Sequence, residues 1–281
     1  MPKKGPQNII AFQGVPGAYS HLACREAYPD LETLPCQTFE AAFGAVAEGR
    51  ANLAMIPIEN SVAGRVADIH QLMPDSGLYI VGEHFQPVNH YLLAPRGSKL
   101  KDLKEVHSHA QALGQCRGLI QELGLEAVVE VDTAGAARDV ALRADPSHAA
   151  LASELAAELQ DMEILRHAGA TVTRFLILSR TRSEPDQDIG KTITTFVFTV
   201  RNVPGALYKA MGGFATNGIN MVKLESYMLQ GSFQATQFYG DIEGHPAEKR
   251  VQLAFEELEF FTHTMKILGV YPAHPYRLEH T

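Results

Sequence analysis

Leu53-Ala54-Met55-Ile56-Pro57-Ile58-Glu59-Asn60-Ser61 is the stretch on which the fold turns. Residues 53–56 read as a buried strand, and Gly64 to Met73 reads as the helix that follows it. The same alternation continues outward on both sides. Upstream, Ile9 to Phe12 is a strand ending at Gly14, and Tyr19 to Tyr28 is helical. Thr38 can cap a helix whose Phe39, Ala42, Phe43 and Val46 fall at helical spacing. Downstream, Leu78 to Val81 and His90 to Ala94 are strands, separated by a crossing segment, Gly82 to His90, that contains Pro87. Then come a helix over 109–123, a strand at Ala127 to Val131 and a helix capped by Thr133. A strand at Ala149 to Ala152, a helix capped by Ser153 and a strand at Phe175 to Leu178 close the series. Strands alternating with crossover helices predict a mostly parallel α/β architecture, here long enough for two small lobes.

Residues 181–191 are polar and read as a linker. Beyond them the pattern changes. Ile193 to Val200 is a β-branched strand, and Pro204 sits where a helix begins. Two strands, Ile219 to Leu229 and Phe233 to Ile242, are joined by a Gln230-Gly231-Ser232 hairpin. A helix with Val251, Ala254, Phe255 and Leu258 on one stripe and a strand at Lys266 to Tyr271 follow. The order βαββαβ predicts a ferredoxin-like unit. The expected division is therefore 8–181 and 192–272.

Composition removes several classes of function. The 281 residues carry 32 acids against 24 bases, a net charge of −8, which argues against a nucleic-acid binder. No apolar run reaches the ~18 residues of a membrane span. The basic start, Met1-Pro2-Lys3-Lys4, is followed only by the short apolar Ile9 to Phe12, so a cytoplasmic location is expected. Cys24, Cys36 and Cys116 form no CxxC pair and read as reduced thiols. His107 and His109 stand two apart without a metal-ligand motif and read as surface or capping residues, so no metal site is expected.

Four loops stand at the carboxyl ends of predicted strands, the edge where open α/β sheets bind ligands. Gly14-Val15-Pro16-Gly17-Ala18-Tyr19-Ser20 leads into a helix N-terminus, which favours an anion. Glu59, Asn60 and Ser61 put three polar groups directly after an apolar strand. Ser108-His109-Ala110-Gln111 opens another helix. Thr173-Arg174-Phe175 carries an arginine into a buried strand, which requires an anionic partner.

Together these loops resemble the prephenate dehydratase family. Gly14 to Ser20 matches its GxxGxYS turn, Pro57 to Val66 its PIENSxxGxV, Ser108 to Cys116 its SHPQALxQC and Thr171 to Phe175 its NxTRF. Ala110 stands for the proline and Thr171 for the asparagine. The C-terminal unit resembles an ACT domain: Gly205-Ala206-Leu207 matches the GAL turn, and Asn217 to Asn220 and Lys223 to Ser226 match the second motif. Tyr227 and Met228 replace the Arg-Pro of its ESRP ending.

The resemblance implies a two-lobed, periplasmic-binding-protein-like catalytic region with an appended ACT domain. It implies conversion of prephenate to phenylpyruvate in phenylalanine biosynthesis, without metal or cofactor. Thr173 is the implied proton donor, with Glu59, Asn60 and Gln111 as catalytic partners. Tyr19, Ser20, Ser61, Ser108, Arg174 and Phe175 are implied substrate contacts. Gly205, Ala206, Leu207, Asn217, Asn220, Glu225 and Ser226 are implied contacts of the effector L-phenylalanine, in a homodimer or homotetramer. Arogenate dehydratase and a non-catalytic amino-acid sensor remain alternatives.

Overall fold

A computed structural model describes residues 8–201, 203–228 and 235–279. In chain order, the first elements are β1 (Ile9–Gln13), α1 (Tyr19–Ala27), β2 (Glu32–Cys36), α2 (Phe39–Ala47), β3 (Leu53–Asn60), β4 (Gly64–Arg65), α3 (Ala67–Leu72) and β5 (Tyr79–Ala94). Next come β6 (Glu105–His109), α4 (Ala110–Gln115), α5 (Arg117–Leu123), β7 (Glu126–Glu130), α6 (Thr133–Arg143), β8 (His148–Ala152), α7 (Glu154–Leu159) and β9 (Glu163–Ser179). The chain ends with β10 (Thr192–Val200), α8 (Ala206–Thr216), β11 (Met221–Met228), β12 (Ala235–Glu243), α9 (Lys249–Phe261), β13 (Thr262–Pro272) and α10 (Pro275–Glu279).

These elements make two compact units. Of the described residues, one unit holds those up to Val66 together with His84–Phe175, and the other holds Ala67–Glu83 and those from Leu176 onward. The boundaries fall inside β5 and β9, and the expected 181–191 linker lies within the second unit.

In the first unit, β1 pairs in parallel with β2 and β3, and its Ile10, Ala11 and Phe12 are fully buried. α2 turns Ala42, Phe43, Ala45 and Val46 inward, and its cap, Thr38 Oγ1, accepts from the Ala41 N–H at 3.2 Å. β6 pairs in parallel with both β7 and β8, and β8 runs antiparallel to β5. Parallel pairs joined by helices are the predicted architecture.

Several details differ from the sequence reading, each for a local reason. Glu59 and Asn60 lie within β3, because a tight antiparallel hairpin pairs them with Arg65 and Gly64. That hairpin takes the first residues of the expected 64–73 helix, which begins only at Ala67. The two strands expected on either side of Pro87 are one, β5: the proline is exposed and its fixed φ suits extended backbone. The 109–123 helix breaks at Cys116, whose ψ of 13° lies outside the helical range. Asp132, not Thr133, caps α6, accepting from the Gly135 N–H at 2.6 Å.

The second unit has the βαββαβ order over β10 to β13, with strand order β11-β12-β10-β13 and every neighbour antiparallel. Its core is aromatic: Phe196, Phe198, Phe214, Phe238 and Phe255 meet at ring-centroid distances from 5.1 to 5.9 Å. The expected 230–232 hairpin lies outside the described residues. Residues 67–83 complete this unit. Gly269 of β13 pairs with Ile80 of β5, and His70 of α3 rests against the rings of Tyr227 and Tyr239, each at 5.0 Å. Glu83, with a side chain wholly removed from solvent, accepts from Arg277 Nε at 2.7 Å and Nη2 at 3.0 Å. No described helix is long and apolar enough to cross a membrane.

Candidate active site

The first unit brings the end of β3 against β9. Asn60 is the hinge of the arrangement. Its Oδ1 accepts from the Val62 and Ala63 N–H groups, both at 3.0 Å. This Asx-type turn leaves only one orientation for the amide. Its Nδ2 then donates to Thr173 Oγ1 at 2.9 Å and to Thr171 Oγ1 at 3.0 Å. A hydroxyl that accepts from an amide keeps its own proton for a third group. Thr171, the position that departs from the family motif, thus shares the amide that orients Thr173.

Arg174 is 2% exposed and places Nη1 2.9 Å from Glu59 Oε1. Burial of the guanidinium is tolerated because a carboxylate meets it, as its position in an apolar strand requires. Ser61 ties the turn to β9: its N–H donates to Val172 O at 2.8 Å and its Oγ accepts from the Val172 N–H at 3.0 Å. Asn60, Thr171 and Thr173 therefore form one group across β3 and β9, Glu59 and Arg174 alternate with them along the same strands as an ion pair, and Ser61 fastens the turn that follows β3.

The other expected residues lie elsewhere in the unit. Ser108 is fully buried and donates to Leu151 O at 2.6 Å, joining β6 to β8. Gln111 is exposed on the first turn of α4, and Phe175 is buried in the core. Ser20 is buried in α1. Tyr19 lines a cleft of about 460 Å³ with Gln86, Asn89, Tyr91 and Ser153.

Tyr19 also begins a buried chain that sequence reading missed. Its hydroxyl lies 2.8 Å from His90 Nδ1, and His90 Nε2 lies 2.8 Å from Gln115 Oε1. The Tyr19 hydroxyl also lies 2.8 Å from Asn89 O, so its single proton is shared between that carbonyl and His90 Nδ1. Burial lowers the His90 pKa and raises that of Tyr19 well above the usual phenol value. Gln115 sits in the stretch matched to the third motif; His90 carries no local signal.

In the second unit, Gly205 takes φ 72° and caps α8. Ala206 is buried and Leu207 packs on the aromatic core. Asn217 closes the same helix, its amide donating to Gly213 O at 2.8 Å and Glu257 Oε1 at 3.1 Å. Asn220 donates to Glu243 Oε2 at 3.2 Å and lines a cleft of about 360 Å³ with Lys191, Gly218, Glu243 and Arg250. On β11, Glu225 lies 3.5 Å from Lys223 Nζ, and Ser226 pairs with Phe238 of β12.

By fold and site this is a mixed α/β chain with an arginine–glutamate pair and an amide–hydroxyl group across two strands and a ferredoxin-like C-terminal unit. The chain belongs to the prephenate dehydratase family, whose model matches residues 10–183. A bifunctional N-acyl-homoserine lactone acylase/prephenate dehydratase of Komagataeibacter europaeus is 55% identical, over 96% of this chain and 98% of that one. Arogenate dehydratase/prephenate dehydratase 1 of Arabidopsis thaliana is 40% identical, over 94% of this chain and 71% of that one. Prephenate dehydratase from Arthrobacter aurescens in complex with L-Phe superposes with a TM-score of 0.86 at 29% identity, covering 94% of this chain and 90% of that one.

Proposed function

We propose that the protein converts prephenate to phenylpyruvate, with Thr173 delivering the proton that lets the ring hydroxyl leave as water. The observation that carries this reading is the Asn60 amide, fixed by its own turn and donating to Thr173 Oγ1. As the C–O bond breaks, the electron pair of the ring–carboxylate bond moves into the ring, and carbon dioxide departs. Aromatisation supplies the driving force, so the protein has to position and protonate rather than activate a nucleophile. Glu59 counters the charge of Arg174, and the pair ties β3 to β9 where Asn60 and Thr173 meet on the alternate side-chain positions. Arg174 is 2% exposed and already paired with Glu59, so the pyruvyl carboxylate is received at the N-terminus of α1, where Tyr19 lines the cleft. The carboxylate that is lost belongs in an apolar setting, since ion pairing there stabilises the ground state.

The C-terminal unit acts as an ACT domain that binds phenylalanine, in a homodimer or homotetramer. Support comes from the N-terminus of α8, where Gly205 provides no side-chain cap, and from the L-Phe complex of the Arthrobacter relative. A second activity is favoured by the 55% identity to a protein whose name joins acylase to dehydratase. Turnover of prephenate, arogenate and an N-acyl-homoserine lactone by the purified full chain tests both readings. Prephenate turnover far above the other two is expected; none with prephenate overturns the assignment.

A further inference from the structure

The reading of His107 as a surface or capping residue fails in three dimensions. His107 is not paired with the exposed His109 but faces His148, which comes from the next strand. Glu105 and His107 are two apart on β6 and share one face of it. β8 runs parallel beside β6 with His148 opposite Glu105. His107 Nε2 lies 2.9 Å from His148 Nδ1, and Glu105 Oε2 lies 3.3 Å from each of those nitrogens. We propose that Glu105, His107 and His148 bind a divalent transition-metal ion of the zinc type.

The triangle of donors has the right size. In a tetrahedral site with bonds of about 2.0–2.1 Å, neighbouring ligand atoms are roughly 3.3 Å apart. Two sides of the triangle match that spacing and the third is slightly shorter. An ion just above the plane therefore reaches all three atoms while the side chains move by tenths of an ångström. The donor set, two imidazoles and a carboxylate, is a recognised zinc combination. The outer contacts fit as well. His107 Nδ1 lies 3.2 Å from Glu130 Oε1, the carboxylate–histidine arrangement that fixes a ligand's tautomer and raises its basicity. Asp145 Oδ2 lies 3.7 Å from His148 Nε2. Glu105, Glu130 and Asp145 thus surround two imidazoles with negative charge that a divalent cation neutralises. Glu105 is partly exposed, which gives the ion a route in. With three protein donors, a fourth position is left for water.

Calorimetric titration of the chelator-treated full chain with zinc chloride, and visible absorption with cobalt(II), test the site. One ion per chain is expected, with a tetrahedral cobalt spectrum. Glu105→Gln and His148→Ala, both at partly exposed positions, should abolish binding while circular dichroism stays unchanged. Glu130→Gln should weaken binding by about 10- to 100-fold, and His109→Ala should leave it unaltered. Absence of stoichiometric binding, or binding that survives His148→Ala, overturns the proposal and leaves the three groups as a hydrogen-bonded cluster.

Discussion

Asn60 uses its oxygen on its own turn and its nitrogen on two threonines, so three positions act as one device. Thr173→Ala should therefore lower turnover by about 10² or more, because proton donation is lost, with little change in melting temperature. Thr173→Ser should keep much of the rate. Asn60→Ala should reduce both rate and stability, the latter by about 1–3 kcal/mol, since turn N–H groups lose their acceptor. Unaltered turnover in Thr173→Ala removes this hydroxyl from the mechanism. His90 adds a pH dependence. Its folded pKa lies below the ordinary 6.5, so the unfolded chain binds the extra proton first as pH falls. Stability is complete above about 6.5 and declines as pH drops toward the lowered value. His21 shifts the same way through burial, so the test is a difference. The pH slope of the melting temperature should be flatter in His90→Gln than in the parent. Thr173 and Asn60 were legible in sequence because each sits in a short local pattern. The bond between them spans 113 positions, and the one to Thr171 spans 111, so their partnership was not. The Glu105–His107–His148 group escaped for the same reason: a parallel neighbour strand, not chain spacing, supplies the third donor.

Among the elements, β13 depends on a missing side chain. A Cβ at Gly269 would overlap the Ile80 carbonyl oxygen and lie 2.6 Å from Ile80 Cβ, both parts of the paired strand β5. Gly269→Ala should thus displace β13 from β5 and lower the melting temperature sharply, an overpacking effect of about 1–3 kcal/mol or more. A melting temperature within a degree of the parent's would show that the two strands can separate without loss. Helical stripes were readable in α2 and α9, and in α2 the cap Thr38 agreed with the apolar spacing. β2 went unread because Glu32, Thr33 and Pro35 give it little apolar signal; pairing with β1 makes it a strand. β5 was read as two strands because Pro87 resembles a stop, yet an exposed proline is compatible with extended backbone.

For the whole molecule, the last helix supplies the counter-charge of a carboxylate buried far upstream. Removing Arg277 leaves Glu83 without its guanidinium, and such a loss costs about 3–5 kcal/mol. Arg277→Leu should be strongly destabilised in chemical unfolding, and Glu83→Gln in the same chain should recover part of the loss. Equal stability of the Arg277→Leu and parent proteins would falsify this view of the pair. The proposed phenylalanine site lies where two copies of the C-terminal unit meet, and that proposal predicts at least a homodimer in light scattering. A monomer that binds phenylalanine with full inhibition contradicts that expectation.

The second unit is discontinuous in the gene. Ile80, His70 and Glu83 reach it from residues 67–83, inside the stretch matched by the family model, and contact Gly269, Tyr227 and Arg277. A recombination event at the 181–191 linker would therefore not carry off a complete cassette. It would leave behind the partner of a glycine, the ring that covers a tyrosine, and the acid that holds the final helix. Exchange of this unit between relatives needs three coordinated crossovers, one on each side of residues 67–83 and one before Leu176, so the unit is tied by inheritance to the chain that surrounds residues 67–83.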